Sequence, residues 1–519
     1  MSSPLHLGST RVDYANAFKG NAFVGPTYAG RSLTIDSQEC MNLFPEPAQS
    51  QDSKSPIALI GTPGLLYRSI IGSGQAGGNR NMFVSAHERA FAVVGIHLYE
   101  IQSDLKSIER GTLLTDSGRV SFAEVITASG SYIMIVDGKN GYVFDTATNV
   151  FSVITSPGYI PGTSVVSISG FFVQNTIQSS FGGSRFIFSQ QYGDATNWDP
   201  LDYFTKEASP DPILSIQTIN SELWLFGSKT TEVWQYTGNI TQLFARITSG
   251  FINIGVSDSY AVTALQNNVF WLGSSLQGSK AVWQASGFIP QEVSTHAIEY
   301  ILGTIDTSDC ICYSYLQEGH FFVVFNFPLG NRTLVYDSST GMWHERGSYN
   351  TAQGINGHHR AISVINWQDT VYVGDYSSNR LYQWDLSTYT DDGVMIVRHR
   401  TAAHQHADRK RIFFREFEID LERGVGLLPA IGSGPSTSVT GPAAVSGQDP
   451  QAMLQWSDDG GVTWSNERWA SAGPRGKRIQ RIHWHRLGYS RDRVFRVFFS
   501  DPVKWVIVDA RMDADVAGQ

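Results

Sequence analysis

The chain is 519 residues long, 41% hydrophobic, 12% aromatic and 16% charged, with a formal net charge of −9. That content excludes a disordered or coiled-coil protein, and the length predicts two or three domains rather than one. The charge is uneven: residues 1–395 hold 20 basic and 33 acidic side chains and residues 396–519 hold 18 and 14, so a large acidic part precedes a mildly basic one.

Taken in chain order, the first thirty residues contain no apolar run of signal-peptide length, and no later segment has the length of a membrane span. The three cysteines, Cys40, Cys310 and Cys312, are too few and too badly spaced for a disulfide framework or a zinc set. These features predict a chain made and folded in a reducing cytoplasm, with no cofactor and no metal. Residues 1–60, with QECMNLFPEP, lack the repeat that follows. They are expected to wrap as an extended arm on the C-terminal domain or on a neighbouring subunit.

From about Arg89 to Leu386 a pattern recurs seven times: an apolar strand signal, a turn, and a second strand with an aromatic residue near its middle. The pairs are AFAVVG and HLYEI, SYIMIVDG and GYVFDTAT, GFFVQ and RFIFSQ, ELWLFG and TEVWQYTG, NVFWLG and AVWQASG, HFFVVFNF and TLVYDSSTGMWHER, TVYVGD and RLYQWDLS. The spacing of roughly 40 to 50 residues is that of a four-stranded propeller blade. The fold class expected is therefore all-β, a β-propeller of six or seven blades over residues 61–395, with an irregular β-sandwich as the alternative. The first strand of each pair is expected to be buried on both faces near the central channel, which makes it a near-continuous apolar run. Turn residues such as Asp137-Gly138 and Asn267-Asn268 punctuate the runs.

Residues 396–519 read as a second β domain, a sandwich or barrel platform. The alternating strand RIFFREFEIDLERGVG is followed by a Gly/Ser/Pro-rich loop over 424–451, which cannot build a core. Strand signals resume with AMLQWSDD, RIHWHRLG, DRVFRVFFS and KWVIVDA.

Within that domain SDDGGVTW has the spacing S-x-D-x-G-x-T-W of the Asp-box hairpin found repeatedly in sialidases and other glycan-cleaving propellers. Its residues, Ser457, Asp459, Gly461, Thr463 and Trp464, need no substrate to explain them. The carboxylate accepts amides of its own loop, glycine permits positive φ, and the indole covers the hairpin base. A retaining glycosidase would need a carboxylate pair; Asp199, Glu207, Asp337 and Glu345 read more easily as turn and blade-edge residues, so no catalytic residue is assigned. His483 and His485 would share a strand face, as metal ligands do, and His404 and His406 repeat the spacing in a loop. Lone surface or stacking histidines are commoner than metal ligands. No phosphate-binding loop, H-E-x-x-H or G-x-S-x-G is present. One basic stretch, Arg475, Lys477, Arg478, Arg481, Arg486, Arg491, Arg493 and Arg496, interleaves with Trp484 and Tyr489. It reads as a docking face for acidic side chains of another subunit in preference to a phosphate grip, because the protein as a whole is acidic.

An ordered series of segments carries a family resemblance: NLFPEP, TPGLL, LWLFGSKTTEVWQYTGN, YLQEGHFFVVFNFP, NRTLVYDSSTGMWHERGS, VYVGDYSSNRLYQWDLSTYTDDG, LQWSDDGGVTWSNER and HWHRLGYSRDRVFRVFFSDPVKWVIVDA. Over about Asn42 to Ala510 the chain resembles the packaged-DNA stabilisation proteins of short-tailed bacteriophages, also called tail accessory factors, tail hubs or nozzles. The N-terminal arm and the 424–451 loop have no counterpart in that series. The resemblance implies a non-enzymatic virion component that forms a ring, homohexameric by expectation. The ring would sit below the portal and its head-to-tail adaptor, continue the channel for double-stranded DNA, retain the genome and carry tail spikes or fibres. A sialidase-like glycan-cleaving propeller enzyme and a glycan-binding module are the alternatives.

Overall fold

The computed structural model describes residues 23–50, 52–73, 77–177, 183–274, 280–407, 409–427 and 447–517. Residues 1–22 of the expected arm and 428–446 of the expected loop lie outside them. The chain divides into two compact units: residues 66–333 with 358–384, and residues 1–65 with 334–357 and 385–519. Among the described residues a single helix, His296–Thr304, interrupts an otherwise all-β chain.

The first unit is a radial arrangement of antiparallel meanders. Four-stranded sheets begin at Asn79–Val84, Ser121–Thr127, Val165–Ile168 and Ile213–Ile219, and a fifth is built around Asn268–Ser274. A sixth contributes the hairpin Ile311–Gln317 with His320–Phe327. The seventh runs Ala361–Trp367, Thr370–Asp375, Arg380–Asp385 and is completed by Gly64–Ile70, a strand from before the whole series. The blade number, left between six and seven by the repeats, is thus seven among the described residues.

Polar side chains bridge successive blades near the axis. Asn81 Nδ2 donates to the Val120 carbonyl (2.9 Å), Ser164 Oγ to Ile216 (3.1 Å), Ser314 Oγ to Ala264 (3.0 Å) and Tyr313 OH to Ala361 (3.0 Å). Ser363 Oγ closes the circle on Asn79 Oδ1 (2.9 Å). The apolar cores lie between blades: Ile365, Trp367 and Leu381 pack with Met82, Ala92 and Tyr99, and Phe186, Phe188 and Ile168 pack with Leu223, Leu225 and Trp234.

One expectation is corrected. The apolar strand of each repeat, such as Ala90–Val94 or Phe171–Asn175, is the second of its blade and not the innermost. Ala90–Val94 and Phe171–Asn175 are buried along their whole length because a neighbouring blade covers each of their faces. The innermost strands, such as Ser121–Thr127 and Val262–Leu265, mix buried with exposed positions and carry the polar bridges. Six of the hairpins that join them to the apolar strands have two-residue loops, pairing Thr127 with Gly130, Ile168 with Phe171, Ile219 with Glu222, Leu265 with Asn268, Gln317 with His320 and Trp367 with Thr370. Both central residues have positive φ in Ser169-Gly170, Asn220-Ser221, Glu318-Gly319 and Gln368-Asp369, the mirror-image turn whose twist matches that of the strands.

The second unit is a two-sheet sandwich. One sheet has the order Leu43–Pro47, Ile57–Gly61, Val506–Val516, Ile412–Leu421, Ile482–Ser490. The other includes Ser37–Met41, Arg398–Thr401, Asp492–Phe499, Gln451–Ser457 and Arg468–Ser471. Their inner faces share one core, with Phe417, Trp484, Phe495, Phe499, Trp505 and Ile507 at its centre. Residues 37–61 therefore supply three strands to this unit.

Two fully buried arginines anchor this N-terminal segment. Arg400 donates to the carbonyls of Phe23 (2.5 Å) and Pro26 (2.9 Å) and to Gln38 Oε1 (2.5 Å), and Arg398 donates to Thr62 O (3.1 Å). The two ends of the Gly/Ser/Pro-rich loop meet where the Leu427 amide donates to the Gly447 carbonyl (2.6 Å).

Candidate functional site

The Asp-box residues fold into one closed network at the tip following Gln451–Ser457. Ser457 Oγ donates to Asp459 Oδ1 (2.6 Å) and accepts the Gly461 amide (2.7 Å). The Asp459 carboxylate also accepts the amides of Val462 (3.0 Å) and Thr463 (2.9 Å) and the Thr463 hydroxyl (2.5 Å). These donors, Ser457 first, hold its carboxyl well below the usual range. Gly460 and Gly461 have φ of 78° and 99°, values an L-residue adopts only with strain. Trp464 is half-buried, with the Arg496 guanidinium 3.7 Å from its ring centre. Each side-chain oxygen of the box is engaged within its own loop.

The basic stretch does not form one face. Arg475, Lys477 and Arg478 are exposed in the turn before Ile482–Ser490, and Arg486 and Arg491 are exposed further on. Arg481 is held by Glu418 through paired bonds of 3.0 and 2.7 Å. Arg493 and Arg496 require correction. Arg493 is buried, paired with Asp458 at 2.6 and 2.8 Å and stacked on Phe414 and Trp456. Arg496 lies between Trp464 and Phe498 and donates to Gln455 (3.0 Å), and its pKa is pushed down to about 10 by burial. Their strand, Asp492–Phe499, alternates between the core and the opposite face, so a run of arginines in sequence is split in space.

The four carboxylates weighed for catalysis lie on separate elements. Asp199 accepts the Leu201 amide (2.8 Å) in a turn, and exposed Glu207 meets Arg246 at 3.5 Å. In the sandwich unit Asp337 is buried and accepts from Ser339 and Thr340, and Glu345 is buried on the strand Met342–Glu345. Asp337 belongs to a recurrent Asp turn. Asp145 accepts from Ala147 and Thr148, Asp375 from Ser377 and Ser378, and Asp385 from Ser387 and Thr388. The strings DTAT, DSST, DYSS and DLST were its signal in the sequence.

Of the histidines, His404 bridges Asp492 (2.9 Å) and the Leu33 carbonyl (2.7 Å), and His406 is exposed. His483 and His485 do share a sheet face, with ring centres 4.5 Å apart. Directly across on Ile412–Leu421, Glu416 pairs in register with His485.

Sequence reasoning missed the propeller axis. A cavity of about 480 Å³ lies there among Asn79, Arg80, Arg119, Asp258, Tyr260 and Asp309. Arg119 reaches across it. Its guanidinium donates to the Ile362 carbonyl (2.9 Å) and Asn81 Oδ1 (3.3 Å) and sits 5.7 Å from the Tyr260 ring centre, while Tyr260 OH donates to the Arg119 carbonyl (3.1 Å). Burial pushes the pKa of Arg119 down to about 10 and raises the carboxyls of Asp258 and Asp309. Arg80 beside it donates to the carbonyls of Gly118 (2.6 Å), Thr115 (2.7 Å) and Ser117 (2.9 Å). The end of the axis is thus narrowed by a polar network, in which Arg119 Nε, Asn79 Nδ2 and Asp309 Oδ1 are buried without a hydrogen-bond partner.

Among solved structures the chain has several distant likenesses. A streptogramin B lyase structure is 8% identical, covering 62% of this chain and 97% of that one at a TM-score of 0.40. A catalytically inactive virginiamycin B lyase from Staphylococcus aureus with quinupristin is 9% identical, with the same coverage and a TM-score of 0.39. The N-terminal domain of Nup159 is 11% identical, covering 67% and 98% at 0.38. None of these bears on function. No curated protein matches the chain significantly. Two family descriptions do match, end to end: bacteriophage P22 Gp10, beta-propeller, over residues 35–389, and bacteriophage P22 Gp10, beta-sandwich, over residues 397–515. With both parts present in order over nearly the whole chain, the protein belongs to the P22 Gp10 family of phage DNA-stabilisation structural proteins.

Proposed function

We propose that this protein is the subunit of a tail nozzle, a closed homohexameric ring below the portal and head-to-tail adaptor. The ring continues the DNA channel, retains the packaged genome and carries spikes or fibres on its outside. The observation that carries this reading is the ordered match of both Gp10 parts over residues 35–389 and 397–515.

Two physical features support it. The axis of a single propeller is spanned by Arg119 and Tyr260, so a duplex has to pass between copies and not through one. The net acidic charge of residues 1–395 suits a conduit, because each phosphate held by Lys or Arg releases counterions and tightens a grip that would impede ejection. Ring closure needs two different patches on each copy. In this reading the platform domain, 396–519, docks through exposed Arg475, Lys477, Arg478, Arg486 and Arg491 on acidic side chains of the neighbouring propeller, 61–395. The Asp box then stiffens a hairpin of the platform, and the chain has no catalytic role.

The test is native mass spectrometry and electron microscopy of the protein mixed with its adaptor. Six copies of 57.3 kDa give a ring of roughly 340 kDa. The expected result is that mass and a six-fold ring on the adaptor. A protein that stays monomeric with the adaptor present, or that releases reducing sugar from capsule polysaccharide, overturns the proposal.

A further inference from the structure

We propose that Glu416, His483 and His485 form a binding site for a divalent transition metal of the zinc class, with its outward coordination position open. The site sits on the outer face of the sandwich sheet, where Glu416 on Ile412–Leu421 lies opposite His485 and Glu418 lies opposite His483 on the next strand. Nδ1 of His485 is 3.7 Å from Glu416 Oε2, and the three residues each offer a ligand atom within 4.8 Å of the others. A small rotamer adjustment brings such atoms to a shared ion, since zinc takes imidazole nitrogen and carboxylate oxygen at about 2.0–2.2 Å.

Three features make this more than proximity. His483 and His485 alternate with Trp484, which is locked in the core, so both imidazoles are set on one face by the strand itself. The register is kept by a bulge: Phe414 pairs with Gly488 and Glu416 with His485, leaving Arg486 and Leu487 opposite Arg415 alone, with Arg486 at φ 58°. This places Glu416 beside the histidines. Finally, His483 Nδ1 and Glu416 Oε1 are both shielded from solvent without a hydrogen-bond partner, although the Arg481 guanidinium stands 3.5 Å from that oxygen. Buried polar atoms are nearly always satisfied, so two orphans in one cluster point to an absent ligand.

The charged surroundings are compatible with a dication. Arg481 is engaged by Glu418 at 2.7 Å, more closely than by Glu416, and Asp513 lies opposite Glu416 on the far side of its strand, with Arg511 opposite Glu418. Two imidazoles and one carboxylate select zinc, cobalt or nickel over calcium or magnesium, which take oxygen. Three protein ligands on an exposed face leave a position for water or for a side chain of another molecule.

The test uses the full chain without an affinity tag, stripped with chelator and titrated with zinc or cobalt chloride. Expected are one ion per chain by calorimetry, a cobalt visible spectrum of a four-coordinate site, and a zinc-dependent rise in Tm. His483→Ala, His485→Ala and Glu416→Gln are each expected to weaken binding at least about tenfold, and exposed His406→Ala to leave it unchanged. Absence of uptake by the unaltered chain overturns the proposal, and so does undiminished uptake by the double variant His483→Ala/His485→Ala. Neither outcome depends on ring assembly.

Discussion

Lys206 has a fully buried ammonium, 2.6 Å from Asp211 Oδ1 and bonded as well to the hydroxyl and carbonyl of Thr230. Asp211 in turn accepts the amides of Lys229 (2.8 Å) and Thr230 (3.1 Å), so both charges are satisfied where water is excluded. The two directions are consistent. Burial lowers the lysine, and the aspartate is held low despite burial, by bonds from Lys206 and Thr230. Removing one partner leaves the other charge stranded, which costs about 3–5 kcal/mol, whereas replacing both with apolar groups of like volume is close to neutral. Asp211→Ala is therefore expected to lower stability in denaturant by that amount. The double variant Asp211→Leu/Lys206→Met should recover most of it, and equal losses in the single and double variants would rule out a paired charge.

At the level of strands and turns, what was legible follows from burial. The second and third strands of each blade stood out because neighbouring blades cover them, which makes runs such as AFAVV and GYVFD unbroken. The innermost strands were not read, because their polar residues, Ser121, Ser164, Ser314 and Ser363, serve neighbouring blades and so break the apolar pattern. The same limit applied to the sandwich face. H-x-H fixed the direction of two imidazoles, but the opposing Glu416 comes from a strand more than sixty residues earlier, and only pairing reveals it. The basic stretch misled for the converse reason, since Arg493 and Arg496 alternate between core and surface. The hairpin turn Gln368-Asp369 also lacked the usual sequence signal, adopting positive φ at both positions (51° and 56°) without glycine. An L-residue in that region costs about 1 kcal/mol. Replacing the pair with Asn-Gly is expected to raise stability by about that much, read as a shift in denaturation midpoint with unchanged slope. A loss of stability would mean that these side chains have a role beyond the turn.

The whole propeller should be sensitive to acid in a defined direction. Glu100 is held low, against its own burial, by bonds from Arg89 and Arg110, and Asp137 likewise by Thr115 and Tyr142. A depressed folded pKa adds stability that is complete above the ordinary values of 4.5 and 3.8 and is lost as pH falls through the folded values. Asp258 and Asp309, raised by burial at the axis, work against this trend. Tm is expected to fall between about pH 5 and pH 3, and Glu100→Gln to flatten that fall by starting lower at neutral pH. A slope identical to that of the unaltered chain would exclude Glu100 as a contributor.

Of the seven-blade series, the strand that completes the seventh blade, Gly64–Ile70, leaves the ribosome before all the others, and its partner Arg380–Asp385 leaves after them. Tyr67 meets Tyr382 at 6.4 Å, and the Ile71 amide donates to the Asn379 carbonyl (2.8 Å), contacts that must wait until roughly 300 intervening residues have been translated. Until then the growing disc is an arc with a raw sheet margin, open to mispairing with other nascent chains. A product that terminates before Arg380–Asp385 can never shut that margin, so closure of the disc reports that translation has passed the last blade.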